Sequence, residues 1–153
     1  MTKQAVWLVD VDGTVALRKE SGRGPFEWER VGEDEPNEPI LIAVRALLAA
    51  DHHVLFVSGR NEVCFTATWQ WLGENVERGY VANALMQNVE GLLMRPNTPE
   101  WMFQPDYLLK EWLYETFIQP QYDVIGILDD RKQVVNMWRT RGLCCLQVAE
   151  GDF

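Results

Sequence analysis

Basic residues, cysteines and long apolar runs are all scarce in this 153-residue chain, and each shortage closes off a class of function. Fourteen Lys and Arg face 23 Asp and Glu, a formal net charge of -9. That balance repels polyanions on average and argues against non-specific duplex binding unless basic residues gather locally. The three cysteines, Cys64, Cys144 and Cys145, are odd in number and two are adjacent. They fit a reduced cytosolic protein better than a disulfide framework, and their spacing is not that of a zinc site. No apolar run is long enough to span a bilayer, and the N-terminal MTKQAVWLVD lacks a secretory apolar region. The expected setting is the cytoplasm, with no membrane partner.

What is present is an ordinary globular composition, 47% hydrophobic and 24% charged, in a length that suits one domain with one core, residues 1–153. Short apolar runs at 5–9 (AVWLV), 54–57 (VLFV) and 124–128 (VIGIL) read as buried strands, with 92–94 and 143–148 as weaker candidates. Between them, 39–50, 62–72, 105–117 and 131–141 carry helical spacing, the first with proline in its opening turn. Strand and helix alternate, which predicts an α/β fold with a parallel sheet. Residues 17–37, rich in Gly, Pro and charge, form a long insertion after the first strand, and its length suggests a flap over a site.

In such sheets ligands collect beyond the carboxyl ends of the strands. Three polar clusters follow the three strong strands: Asp10-Val11-Asp12-Gly13-Thr14, Ser58-Gly59-Arg60 and Asp129-Asp130-Arg131. Asp12-Gly13 alone reads as a turn, but that leaves Asp10 unexplained. Side chains two apart on a strand point the same way, so Asp10 and Asp12 would share the crevice while Val11 turns inward. Two such carboxylates need a cation between them, or one must keep a proton. Asp129-Asp130 alone reads as a solvated acidic pair; its place directly after a strand brings it near Asp10, and convergent carboxylates imply Mg²⁺. Ser58-Gly59 is either a helix cap or a hydroxyl with free backbone N–H groups for an anion, to which Arg60 adds a planar fork. Lys110 is either a solvated partner of Asp106 one turn before it or a cation for a substrate phosphate and Asp10. Arg23 is either a solvated loop residue or, on a flap, a second anion ligand. Trp28 and Trp101, in segments read as loops, are the candidates for stacking on a base.

VDVDGT, VSGR, a helical lysine and ILDDR, in that order, resemble the four motifs of the haloacid dehalogenase (HAD) superfamily of phosphotransferases. More narrowly, GRGPFEW, VSGR, Asp106 with Lys110, LDDRKQVVNMWR and the tail QVAEGDF are similar to the 3'-phosphatase domains of bacteriophage polynucleotide kinase/phosphatases, strongly at both ends and weakly between Gly73 and Pro105. The resemblance implies a HAD-like Rossmannoid three-layer fold, central parallel sheet included, with a small flap in place of a large cap. It implies Asp10 as the nucleophile that forms an aspartyl-phosphate, and Asp12 as acid and then base. Mg²⁺ would be held by Asp10, the Asp12 backbone carbonyl, Asp129 and Asp130. Ser58 and Lys110 would hold the phosphate, and Arg23, Arg60, Gly59, Thr14 and Asp106 would bind substrate or support the site.

The implied substrate is a 3'-phosphorylated nucleic acid end or a 3'-nucleotide, leaving a 3'-hydroxyl for repair. No G-x-x-x-x-G-K-[ST] loop occurs, so the chain should not phosphorylate 5' ends itself, and a separate kinase or ligase is an expected partner. Two other readings stay open on the sequence: a HAD phosphatase for small metabolites or 5'-nucleotides, and a non-catalytic phosphate-binding or assembly module. RNA against DNA and the oligomeric state are not fixed by these residues.

Overall fold

The AVWLV run alternates its side chains between two different interiors, and this divides the molecule into layers. Val6 and Leu8 bury on one face of the sheet, Val9 on the other. In chain order the elements are β1 (Gln4–Val9), β2 (Ala16–Leu17), β3 (Glu35–Pro36), α1 (Glu38–Ala49), β4 (Val54–Asn61), α2 (Phe65–Val76), β5 (Val89–Arg95), α3 (Pro99–Met102), α4 (Asp106–Leu113), β6 (Tyr122–Arg131), α5 (Lys132–Thr140) and β7 (Cys145–Gly151). This computed structural model describes residues 2–152; Met1 and Phe153, the last residue of the QVAEGDF tail, lie outside the described residues.

The main sheet has the order β5-β4-β1-β6-β7 with every pair parallel. One face packs against α1 and α2 through Leu41, Val44, Leu48, Trp71 and Leu72, which meet Val54 and Phe56 of β4. The other packs against α4 and α5 through Leu109, Leu113, Val134, Val135 and Trp138, which meet Leu55 and Val57 of the same strand and Ile127 of β6. Three layers result, the expected Rossmannoid arrangement, because a sheet with helices on both faces needs strands that are apolar on both sides. Among the described residues no helix is long and apolar enough to cross a membrane.

The chain leaves β1 toward β4 and β5, then returns to β6 on the other side. Strand order therefore reverses at β1, and the crevice past its carboxyl end is where a ligand site belongs in this topology. The expected strands at 54–57 and 124–128 run on to Asn61 and Arg131, since Asn61 pairs with Arg95 of β5 and Arg131 with Gly151 of β7. The polar motifs are thus the last residues of strands, held by the ladder. The helix expected from 62 opens as a 3-10 turn, Glu62–Cys64, because the Asn61 carbonyl oxygen of the side chain accepts from Val63 N–H, and it continues past Leu72 to Val76. The flap is pinned at its base by β2 pairing with β3 and carries a 3-10 helix, Trp28–Glu33.

Candidate active site

β1 ends at Val9, yet the Asp10 N–H still donates to the Leu128 carbonyl at 2.9 Å, so Asp10 rides the ladder beside Asp129. Val11 is fully buried, and its carbonyl accepts the N–H groups of Thr14, Val15 and Ala16 to fold the turn. Gly13 is in the left-handed region at φ 81°, and the Asp130 carboxylate occupies the space where its Cβ would stand. Glycine is required there twice, for the backbone and for the close approach. Thr14, also fully buried, donates its hydroxyl to Asp10 Oδ2 at 2.9 Å.

Lys110 projects from α4 into the centre of this group. It is 2% exposed and donates to Asp10 Oδ1 at 2.7 Å and Asp129 Oδ2 at 2.8 Å. Burial opposes its charge, but the carboxylates of Asp10, Asp129 and Asp106 more than offset that and raise its pKa. Burial also pushes Asp10 well above the usual carboxylate range, with Asp129 and Asp130 adding to the rise and Lys110 opposing it. Asp130 is raised by burial and by Asp129 in the same way. Oxygens of Asp10, Asp129 and Asp130 lie within 4.8 Å of one another. Three hard oxygen donors crowded this closely form a set that Mg²⁺ fits.

Asp12 is held from the other side. Arg60 Nε lies 3.0 Å from Asp12 Oδ2 and its Nη2 2.8 Å from Oδ1, while Arg23 Nη2 reaches Oδ1 at 3.3 Å. Both arginines converge on a buried flap residue, Asp34: Arg23 binds it in bidentate fashion at 2.9 and 2.8 Å, and Arg60 at 2.6 Å. Arg60 Nη1 also donates to Thr68. Desolvation works against the Arg60 charge, but Asp12 and Asp34 keep its pKa raised. Asp12 itself stays 40% exposed at the cleft, whereas both guanidinium groups are buried behind it.

A third node supports the opposite wall. Asp106 Oδ1 accepts from Arg95 at 2.5 Å and Oδ2 from Arg131 at 2.9 Å. A Cβ on Gly59 would stand 2.7 Å from the Asp106 carboxylate oxygens, so glycine lets α4 approach β4 here. Asp106 is therefore taken by arginines, and Lys110 one turn later is free to serve Asp10. Ser58 is fully buried and its oxygen accepts the Arg60 N–H at 3.1 Å; the hydroxyl proton is what it has to offer an anion.

These groups line a cleft of about 990 Å³. Asp10, Asp12, Arg23, Gly59, Arg60, Asp106, Lys110, Asp129 and Asp130 reach it; Thr14 and Ser58 sit one layer behind, against Asp10 and Arg60. Six basic residues line this one cleft, Arg18, Arg23, Arg60, Arg95, Lys110 and Arg131, in a chain with only 14. The same lining carries five aspartates, Asp10, Asp12, Asp106, Asp129 and Asp130, so the basic residues gather here but are largely offset by carboxylates.

Two site residues escape sequence reasoning. Asp34 sits in a charged stretch of the flap with nothing local to distinguish it from Glu33 or Glu35. Arg95 is findable, since it ends β5 and the strand-end rule applied to that weaker strand points to it. Trp28 and Trp101 lie in helical turns, not loops, and are half-buried: Trp101 packs on Trp112 with ring centres 4.7 Å apart.

Fold and site together define a phosphoric monoester hydrolase of the HAD class. The chain belongs to the family of polynucleotide kinase (PNKP) phosphatase domains, which it matches over residues 4–153. It is 34% identical over 134 residues to a putative bifunctional polynucleotide kinase/RNA ligase of Autographa californica nuclear polyhedrosis virus, covering 86% of this chain but 17% of that protein. It superposes on a chain of the Pnkp1/Rnl/Hen1 RNA repair complex with a TM-score of 0.82 and 30% identity, covering 99% of this chain and 44% of the other. The chain thus spans less than half the length of these relatives. D,D-heptose 1.7-bisphosphate phosphatase from B. bronchiseptica, solved with magnesium and phosphate, shares the fold at 16% identity and a TM-score of 0.55, over 93% of this chain and 79% of the other.

Proposed function

We propose that this chain is a Mg²⁺-dependent 3'-phosphatase for nucleic acid ends, working through an aspartyl-phosphate. The observation that carries this reading is Lys110 Nζ bridging Asp10 and Asp129 at the floor of the cleft, with Asp12 two residues beyond the nucleophile. An Asp10 oxygen attacks phosphorus as the bond to the 3' oxygen breaks, and a proton from Asp12 goes to that oxygen. Asp12, now a carboxylate, takes a proton from water as the water oxygen attacks phosphorus and the bond to Asp10 breaks, releasing phosphate. Lys110 bears on the phosphoryl oxygens, where charge must be stabilised as it shifts, and Ser58 supports that wall from one layer behind by accepting the Arg60 N–H. Mg²⁺, held by Asp10, Asp129, Asp130 and the Asp12 backbone carbonyl, would supply further stabilisation of that charge. Phosphate monoesters hydrolyse so slowly that accelerations up to about 10²¹-fold are called for, which favours a site that combines covalent, acid/base and electrostatic effects.

Arg23 and Arg60 support this scheme as the groups that aim Asp12, and Asp106 as the group that holds Arg95 and Arg131. The names of the two relatives at 30% identity or more tie those proteins to RNA ligation and RNA repair, which favours RNA ends and a kinase or ligase working beside this domain. Residues 1–153 act as one phosphatase unit in this reading, and unpaired Cys64, Cys144 and Cys145 favour the cytoplasm. The test compares phosphate release from 3'-phosphorylated oligonucleotides, 3'-mononucleotides and 5'-phosphorylated oligonucleotides, with Mg²⁺ and with chelator. A clear 3' preference that requires Mg²⁺ is expected; equal turnover of 3' and 5' ends would defeat the reading.

A further inference from the structure

Arg95 ends β5 at the wall of the cleft, yet it is only 7% exposed and turns its guanidinium into the protein. Its backbone is held by the ladder, where Arg95 pairs with Asn61 of β4. From that fixed point Nε donates to the Gly59 carbonyl at 3.0 Å, and Nη1 to the carbonyls of Trp101 and Gln104 at 2.6 and 2.8 Å. Nη2 donates to Asp106 Oδ1 at 2.5 Å. Four of the five N–H donors of an arginine are engaged, three of them by backbone oxygens. A fork that catches an anion presents parallel N–H groups to it, whereas this one is closed on three segments of chain.

Those segments need an anchor. α3 is a single turn of four residues, too short to be stable alone, and α4 begins at Asp106 without a side-chain cap. Asp106, in the first turn of α4, is held instead by Arg95 from the end of β5 and by Arg131 Nη1 from the end of β6, at 2.9 Å on Oδ2. Arg131 stands two residues after Asp129, so the start of α4 is tied to the strand that carries one of the Lys110 partners. Lys110 follows one turn further along α4 and meets Asp10 and Asp129 at 2.7 and 2.8 Å. With about 1.5 Å of rise per residue, even a small slip of α4 would carry Nζ off both carboxylates.

We propose that Arg95 is a positioning residue for the phosphatase reaction, fixing the start of α4 so that Lys110 meets Asp10 and the phosphoryl group at the distance the chemistry needs. The proposal rests on the 3'-phosphatase reading above and adds to it a residue that acts through Lys110 and touches neither metal nor substrate. A displacement of about 1 Å in such a group lowers the rate by about 10²-fold.

The test is a double-mutant cycle on phosphate release from a 3'-phosphorylated oligonucleotide in Mg²⁺, with Arg95→Met, Lys110→Met and the pair. Each assay is run well below the melting temperature of its variant, so a loss of stability alone leaves kcat unmoved. Arg95→Met should lower kcat by about 10- to 100-fold and leave KM within about threefold. In the Lys110→Met background the same change should lower kcat by less than about threefold, because the group that Arg95 positions is already gone. Arg95→Lys keeps the charge but has no fork to span three segments, so it should fold even where Arg95→Met does not and show a smaller loss of the same kind. Equal factors in the two backgrounds overturn the proposal, as does a rise in KM at unchanged kcat, which would make Arg95 a substrate ligand. Full kcat in both Arg95 variants overturns it too, while the 3'-phosphatase reading stands. No phosphate release by the wild-type protein defeats that reading, and the proposal with it.

Discussion

Lys110 Nζ stands 2.7 Å from Asp10 Oδ1, although a hundred residues separate them in the chain. The ammonium is the one cation among the described residues placed between Asp10 and Asp129, and it holds both carboxylates at the bottom of the cleft. Lys110→Met keeps most of the stem's packing and removes the charge. It should lower kcat by about 10²- to 10³-fold, the range for losing one group that stabilises developing charge. Phosphate release under saturating substrate measures this, and a loss under tenfold would take Lys110 out of the reaction.

Asp10→Asn preserves shape and leaves an amide oxygen for Lys110 to donate to, but removes the carboxylate proposed as the nucleophile. Turnover should fall by at least about 10⁴-fold. The same change removes one charge from a crowded cluster, so the unliganded variant should melt no lower than the wild-type protein at neutral pH. Both follow from the crowding of Asp10 against Asp129 and Asp130, and a thermal melt beside the activity assay checks them together.

Asp10 and Asp130 are carboxylates raised by burial and by Asp129, which fixes the sign of their effect on stability. Between the unfolded pKa of about 3.9 and the higher folded value, the folded state binds more protons than the unfolded chain. Their contribution is complete below that unfolded value and is lost as pH rises through the folded one, at about 1.4 kcal/mol per unit of difference. In chelator, urea midpoints should therefore decline from pH 4 toward 8, and less steeply in Asp130→Asn. Added Mg²⁺ should stabilise the wild-type protein more at pH 8 than at pH 5, since protons and cation compete for the same oxygens.

Asp34 pairs with two buried arginines while it sits on the flap. Asp34→Ala leaves both without their shared carboxylate, and removing one member of a buried charge network costs about 3–5 kcal/mol. The flap should become sensitive to protease, and kcat should fall even well below the melting temperature because Arg60 and Arg23 no longer aim Asp12. Activity equal to wild type at low temperature would separate Asp34 from catalysis.

The sheet and the polar clusters at its strand ends are legible in the sequence because both depend on local signals. AVWLV and VIGIL are apolar on both faces, and residues that follow them line the cleft. The strand ends were read short, since Ser58-Gly59-Arg60 and Asp129-Asp130-Arg131 belong to their strands through pairing with β5 and β7, which no local pattern reports. Asp34 escaped for a deeper reason: its meaning lies in Arg23, 11 residues away, and Arg60, 26 away, and no spacing rule links them. Arg60 shows the converse. A phosphate fork is a fair expectation for an arginine after Ser-Gly, yet its guanidinium turns to Asp12, Asp34 and Thr68.

β1 precedes the other described strands in the chain and is the middle strand of the finished sheet. Its neighbour β6 begins at Tyr122, so through most of synthesis the VWLV segment has one flank open, the sort of apolar edge that joins other chains. The strand that leads to Asp10 thus keeps an open apolar edge until β6 has been made. Rescue of poor yield by slower translation or by chaperones would act on this segment first.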